Sequence, residues 1–167
     1  SLELRVVTTT AKAGRVQGEV DLKEGATNTF LVRSLGYEGS MDNVIDVIHQ
    51  GPKSVSDGTL KAVSFNDAMI SIRGVATISE TAYDSATSIV GRSFVQGNNA
   101  KAVVTPMLEV KTGRVKTAKH SASAMKVPED LLFYLESRGL DKKESNALIV
   151  RGFMEDEGDS DEIKRVI

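Results

Sequence analysis

Residues Ala68-Met69-Ile70-Ser71-Ile72-Arg73-Gly74-Val75 alternate apolar and polar over most of their length. That is the period of a β-strand with one buried face. Shorter runs of the same kind recur at residues 4–7, 15–22, 29–32, 44–48, 60–65, 88–95, 102–110 and 114–118. Turn formers separate them: Lys23-Glu24-Gly25, Gly51-Pro52, Ser56-Asp57-Gly58, Asn66-Asp67, Gly97-Asn98-Asn99 and Thr112-Gly113. Many short strands with regular turns predict a sandwich, a barrel or a solenoid. From residue 127 the period changes to that of a helix. Pro128 suits a first helical position, and Glu129 and Asp130 suit the positive helix N-terminus. Leu131, Leu132, Tyr134 and Leu135 form one apolar stripe, and Gly139 is the expected stop. Asp141 and Glu144 form a capping box for a second helix, with Leu148 and Ile149 on its buried face and Gly152 ending it. Residues 163–167 are placed to begin a last helix. The reading is mainly β, with two parts: 1–126 as strands and 127–167 as a small helical domain.

Composition narrows the β part. Aromatics make up 5% of the chain and tryptophan is absent, while the strands are rich in Val, Ile, Ala, Ser and Thr. Sandwiches and barrels usually fill a wide core with large rings; a β-helix stacks small and β-branched residues along a narrow interior. The β-helix is therefore favoured over a sandwich acting as a binding module, although no strict repeat aligns.

The charge is unevenly placed. Residues 127–167 carry 11 acidic and 6 basic side chains, and residues 1–126 carry 12 and 15. The acidic tail disfavours nucleic-acid binding. Six acids within 155–162 predict a solvated or floppy segment. No apolar run approaches the roughly 18 residues of a membrane helix, and the polar start is unlike a secretory leader. A cytoplasmic location is the default expectation. Cysteine is absent, so neither disulfides nor a cysteine ligand set for zinc or an iron–sulfur cluster can come from this chain.

One stretch carries more specific information. His120-Ser121-Ala122-Ser123 is followed by Asp130-Leu131-Leu132-Phe133-Tyr134-Leu135, then Ser137-Arg138-Gly139-Leu140, then Ile149-Val150-Arg151-Gly152-Phe153. In order, spacing and identity this resembles the C-terminal signature of the SufB/SufD family: a histidine with small residues, an LFYL-x-SRG block and an IV-x-GF block. Thr105-Pro106-Met107-Leu108-Glu109 resembles the family's proline-containing strand ahead of the histidine, and His49-Gln50-Gly51 and Asp57-Gly58 fall where its β-helix has comparable turns. The resemblance implies a right-handed parallel β-helix followed by a small C-terminal α-helical domain. It also implies a non-catalytic scaffold of iron–sulfur cluster assembly. Such a chain pairs with a SufB-like or identical subunit through the end of the β-helix and docks the ABC-type ATPase SufC. No intrinsic cofactor is implied; iron or a cluster would pass transiently through the subunit interface. Members are usually longer.

Residue by residue, His120 matches the family histidine at that interface. Imidazole is a reasonable iron ligand, and Lys119 beside it favours the neutral, metal-binding form. The competing reading is a surface histidine at the end of the last strand. Lys119 stands where SufB members carry glutamate, and the SufB cysteine near 88–93 is missing, so the pattern is closer to SufD. One histidine with scattered carboxylates holds no cluster without thiolates from a partner. Phe133, Tyr134, Arg138, Gly139, Leu140, Ile149, Arg151 and Phe153 form the implied ATPase dock, several being residue types favoured as interface anchors. The competing reading is that these helices seal the end of the β-helix, a role for which Phe133 and Leu135 are suited.

Other chemistries fare worse. A helix-turn-helix wants Arg, Asn or Gln opening its second helix, where Asp141-Lys142-Lys143-Glu144 stands. Gly-rich phosphate loops, zinc patterns and a nucleophile elbow do not occur, and His49 reads as structural. A β-helical lyase or hydrolase of carbohydrates is the alternative function. Its expected cluster of acids on one face is not evident among Asp67, Glu80, Asp84 and Glu109.

Overall fold

The computed structural model describes residues 1–10 and 12–166. Nine strands come first: β1 Leu2–Thr10, β2 Ala13–Leu22, β3 Thr27–Gly36, β4 Ser40–His49, β5 Val55–Phe65, β6 Met69–Ile78, β7 Ser85–Gln96, β8 Lys101–Val110 and β9 Val115–Met125. Three helices follow: α1 Glu129–Ser137, α2 Lys142–Met154 and α3 Asp161–Val166. Odd-numbered strands form one sheet, in the order β1-β3-β5-β7-β9, and even-numbered strands the other, β2-β4-β6-β8. Every pairing is parallel. The chain is thus a β-solenoid of about four turns, each coil laying one strand in each sheet.

The interior explains both the scarcity of aromatics and the missing repeat. Inward residues stack in columns along the axis, and large members are matched by glycine in the next coil. Phe30 pairs in register with Gly58, which pairs with Ile89. A Cβ on Gly58 would lie 2.0 Å from the Phe30 ring, so the ring occupies the space that a side chain would fill. Gly74, in register with Ile45, and Gly91, in register with Leu60, also leave room for large neighbours, but from the facing sheet: chiefly Leu60 over Gly74, and Val104 with Pro106 over Gly91. Volume is conserved across neighbouring coils rather than along one repeat, which hides the period from the sequence.

One corner of the interior is polar. His49 ends β4 with no solvent exposure. Its Nδ1 lies 2.8 Å from Ser54 Oγ and its Nε2 2.9 Å from Ser56 Oγ. Those hydroxyls continue to Ser85 Oγ at 2.9 Å and Thr87 Oγ1 at 2.8 Å in the next coil. Because Ser54 Oγ also donates to the Gly51 carbonyl at 2.9 Å, it accepts from Nδ1–H, leaving Nε2 to accept from Ser56. His49 is structural, as expected. Burial lowers its pKa from the ordinary 6.5. Between the folded and unfolded values the unfolded chain binds more protons, so stability falls as pH falls through that window and is unaffected above it. Thermal unfolding from about pH 7.5 to 5.5 should show a declining Tm. The decline should vanish in His49→Gln; a flat wild-type profile would refute the assignment.

The helices do not seal the end of the solenoid. They lie on the outer face of the odd-numbered sheet. Leu35, Val63 and Phe94, in register across β3, β5 and β7, form a second core with Val150 and Met154 of α2. Each helix has a boundary that differs from the expected one. Pro128 is the N-cap of α1, not its first helical residue. Helix α2 runs through Gly152 to Met154, because Met154 is fully buried against the sheet and that packing outweighs one glycine. Other signals hold. Gly139, at φ +96°, ends α1 with Gly139 N–H donating to Glu136 O and Leu140 N–H to Leu135 O, a Schellman arrangement. Both bonds of the Asp141/Glu144 capping box are made, at 2.8 and 2.9 Å. The last helix begins at Asp161, before the expected residue 163, and is described to Val166; Ile167 lies outside the described residues. No described helix is long and apolar enough to cross a membrane.

Candidate functional site

Strand β9 is the last strand of the solenoid and leaves that end open. One edge pairs with β7 from Val115 to Met125; among the described residues no strand lies beside the opposite edge. The strand is exposed over most of its eleven residues, including everything from Lys119 to Met125. After an irregularity that leaves Lys116 out of register, the strand runs regularly from Thr117 to Met125; such an edge of free N–H and C=O groups is a template for pairing, and proteins normally cover or blunt it. Around it the even-numbered sheet exposes Val103, Met107 and Val110 on β8, its own last strand.

His120 lies within this strand, not at its end. Register places it on Ile89, a fully buried inward residue, with Ala118 on Thr87 and Ala122 on Gly91. His120 therefore belongs to the inward-facing set and is exposed because no further coil covers it. Among the described residues no group of three or more His, Asp or Glu side chains is placed to hold a metal ion. With no cysteine in the chain, the imidazole of His120 stands here without a ligand set of its own among the described residues.

The helical residues divide by direction. Phe133 is 74% exposed and Tyr134 53%, with Arg138 stacked over the Tyr134 ring at 5.3 Å. Gly139 and Arg151 are exposed, and Leu140 is half-buried beneath them. Leu131 and Leu148 add further exposed apolar surface. Ile149 and Phe153 instead pack toward the solenoid with the second core, Phe153 lying 5.9 Å from Phe94. Phe133 touches no core, contrary to the sealing role considered for it; Leu135 is half-buried.

The acidic segment holds the feature that the sequence did not reveal. Asp159 and Arg33 have fully buried side chains. The guanidinium donates to both carboxylate oxygens, at 2.5 and 2.6 Å, and to the Met154 carbonyl at 2.8 Å. Asp159 also accepts from the backbone N–H of Asp156 at 2.9 Å, and Arg5 reaches Asp156 at 2.8 Å. The expected solvated segment is thus a clamp from the helices to β1 and β3. Arg33, bonded to Asp159, holds that carboxyl below the usual aspartate range, and Arg5 does the same for Asp156. The register explains why acids gather here: Arg33, Lys61 and Arg92 stand side by side on β3, β5 and β7, an unfavourable row of like charges until carboxylates cover it. The only cue in the sequence was an arginine inside the apolar run Phe30-Leu31-Val32-Arg33-Ser34-Leu35.

The acids considered for carbohydrate chemistry are dispersed. Asp67 accepts from Asn99, Asp84 from Arg114, and Glu109 lies near Lys111, at three separate places on the solenoid.

Comparison with known proteins agrees with this architecture. Residues 1–153 match the family described as SUF system FeS cluster assembly, SufBD core domain. An iron–sulfur cluster assembly SufBD family protein of Staphylococcus aureus strain USA300 is 29% identical over 135 residues, covering 80% of this chain and 29% of that protein. One from Staphylococcus epidermidis is similar to the same extent. The chain therefore spans less than a third of the length of these relatives. With the match running through the solenoid and into the second helix, this chain belongs to the SufB/SufD family.

Proposed function

We propose that this chain is a non-catalytic scaffold of iron–sulfur cluster assembly. It pairs through β9 with a SufB-like subunit or a second copy of itself, and it carries an ABC-type ATPase on its helices. The observation that carries this reading is the open solenoid end, where the free edge of β9 and His120 are exposed together. A partner strand laid along β9 would satisfy its free backbone groups and cover the uncapped core. It would also bring the partner's side chains to His120, supplying the thiolates that this chain lacks. The cluster is cargo of the pair, not a resident of this subunit. The exposed face of Leu131, Phe133, Tyr134 and Leu148 on the paired helices supports the docking half of the reading.

Removing residues 127–167 would be a poor test, because it uncovers Leu35, Val63 and Phe94. Replacing both Phe133 and Tyr134 by alanine leaves the buried contacts intact. Binding of the cognate ATPase, followed by calorimetry, should weaken by roughly a hundredfold, two interface anchors being lost. Unchanged affinity would remove the docking claim.

A further inference from the structure

The corner that follows β3, β5 and β7 lines up Tyr37, Phe65 and Gln96 in successive coils. Tyr37 and Phe65 stack with ring centroids 4.9 Å apart and planes 7° apart, and Tyr37 is 54% exposed. The first turns of α2 stand opposite, presenting Lys142, Lys143, Asn146 and Ala147. Between them lies a cleft of about 610 Å³, within the usual range of ligand sites.

Its chemistry is asymmetric. Lys142 and Lys143 are exposed and, among the described residues, form no ion pair. The polar atoms left over in the walls are acceptors. Gln96 Oε1 and Asn146 Oδ1 are sheltered from solvent and have no hydrogen-bond partner. Asn146 Nδ2 is already committed to the Lys142 carbonyl at 2.8 Å, so its oxygen is the free atom. Both residues line the cleft, so rotation of the amide would bring its oxygen to a donor seated there, for Asn146 at the cost of its bond to the Lys142 carbonyl. An occupant must therefore donate hydrogen bonds, carry negative charge and offer an apolar group to the rings. Inorganic phosphate brings negative charge and an O–H donor but no apolar group for the rings, whereas an extended acidic peptide has all three features: backbone N–H groups at regular spacing, carboxylates and intervening side chains.

We infer that this cleft receives an extended acidic segment of the docked ATPase, which would make the dock a composite of solenoid and helices rather than a property of the helices alone. The inference rests on the docking proposed above. Carboxylates of that segment meet Lys142 and Lys143, and an apolar side chain lies against Tyr37 and Phe65. Because the walls come from both parts of the chain, the occupant bridges them.

The test uses the full chain and its cognate ATPase, with affinity measured at low and physiological salt. Lys142→Glu with Lys143→Glu should weaken binding on the order of tenfold or more and flatten its salt dependence. The folded helix should tolerate both changes, since acids are favoured at a helix N-terminus. Tyr37→Ala, a substitution on the solenoid, should weaken binding as well. Phe133→Ala serves as the reference for the helical dock. If the charge-reversed and Tyr37 variants bind like the wild type while Phe133→Ala binds poorly, the cleft is not part of the dock and this inference falls alone. If the Phe133 variant also binds normally, the docking reading falls and takes the cleft with it.

Discussion

Asp159→Asn is expected to destabilise the folded chain by about 3–5 kcal/mol, the usual cost of stranding one member of a buried ion pair. The substitution leaves the Arg33 guanidinium with no solvent exposure and no carboxylate against it. It also weakens the tie between the helices and β1, because Arg5 lies 3.3 Å from the same carboxylate. The pair's net worth is smaller than this cost, since both charges were taken out of water to form it. Replacing both partners at once, Arg33→Met with Asp159→Leu, should therefore be far milder than the single change. Urea unfolding monitored by circular dichroism measures all three proteins. A single substitution costing under about 1 kcal/mol would show that the clamp is not buried in solution. The acid response has a matching sign. The carboxyl pKa values of Asp156 and Asp159 are depressed when folded, so their contribution is present above the unfolded value of 3.8 and is lost as pH falls through the folded values. This loss lies well below the His49 window, and the two acid transitions should separate.

Ala122→Asp should weaken subunit pairing on the order of a hundredfold while leaving the free chain's Tm nearly unchanged. Ala122 is exposed in the free chain, and an exposed substitution of this kind costs a fold little. In a pair built on β9, the same position becomes a desolvated charge next to the uncapped core above Gly91, and an unpaired buried charge is strongly opposed. Sedimentation of the pair across a concentration series gives the constant. Equal association of variant and wild type would place the interface elsewhere.

How much of this could be read from the sequence depends on whether the relevant partner was close in the chain. Alternation within a few residues located all nine strands, but most run longer than expected, and Ser56-Asp57-Gly58, expected as a turn, lies inside β5, where Gly58 leaves room for the Phe30 ring. Strand β9 was expected only over 114–118, yet it reaches Met125. Its second half, Lys119-His120-Ser121-Ala122-Ser123-Ala124, shows no apolar alternation because its inward positions meet no following coil. The cues at α1 and α2 that depend on neighbours, the Asp141 box and the Gly139 stop, were legible for the same reason as the strands. Gly152 misled because Met154 is buried by residues of three strands far away in the sequence. Asp159 was hidden more deeply: six acids share the segment, and the choice among them is made by Arg33 across the fold. For the candidate site, the family pattern pointed to His120 and to the exposed helix residues. It did not distinguish Phe133 and Tyr134, which face outward, from Ile149 and Phe153, which face the sheet.

Backbone hydrogen exchange on β9, with and without the partner subunit, addresses the scaffold proposal at its centre. If the open end is where subunits meet, amides of residues 115–125 that exchange freely in the isolated chain should become strongly protected in the pair, together with the inward face around His120. Protection that arises elsewhere while β9 continues to exchange at its free rate would contradict the account.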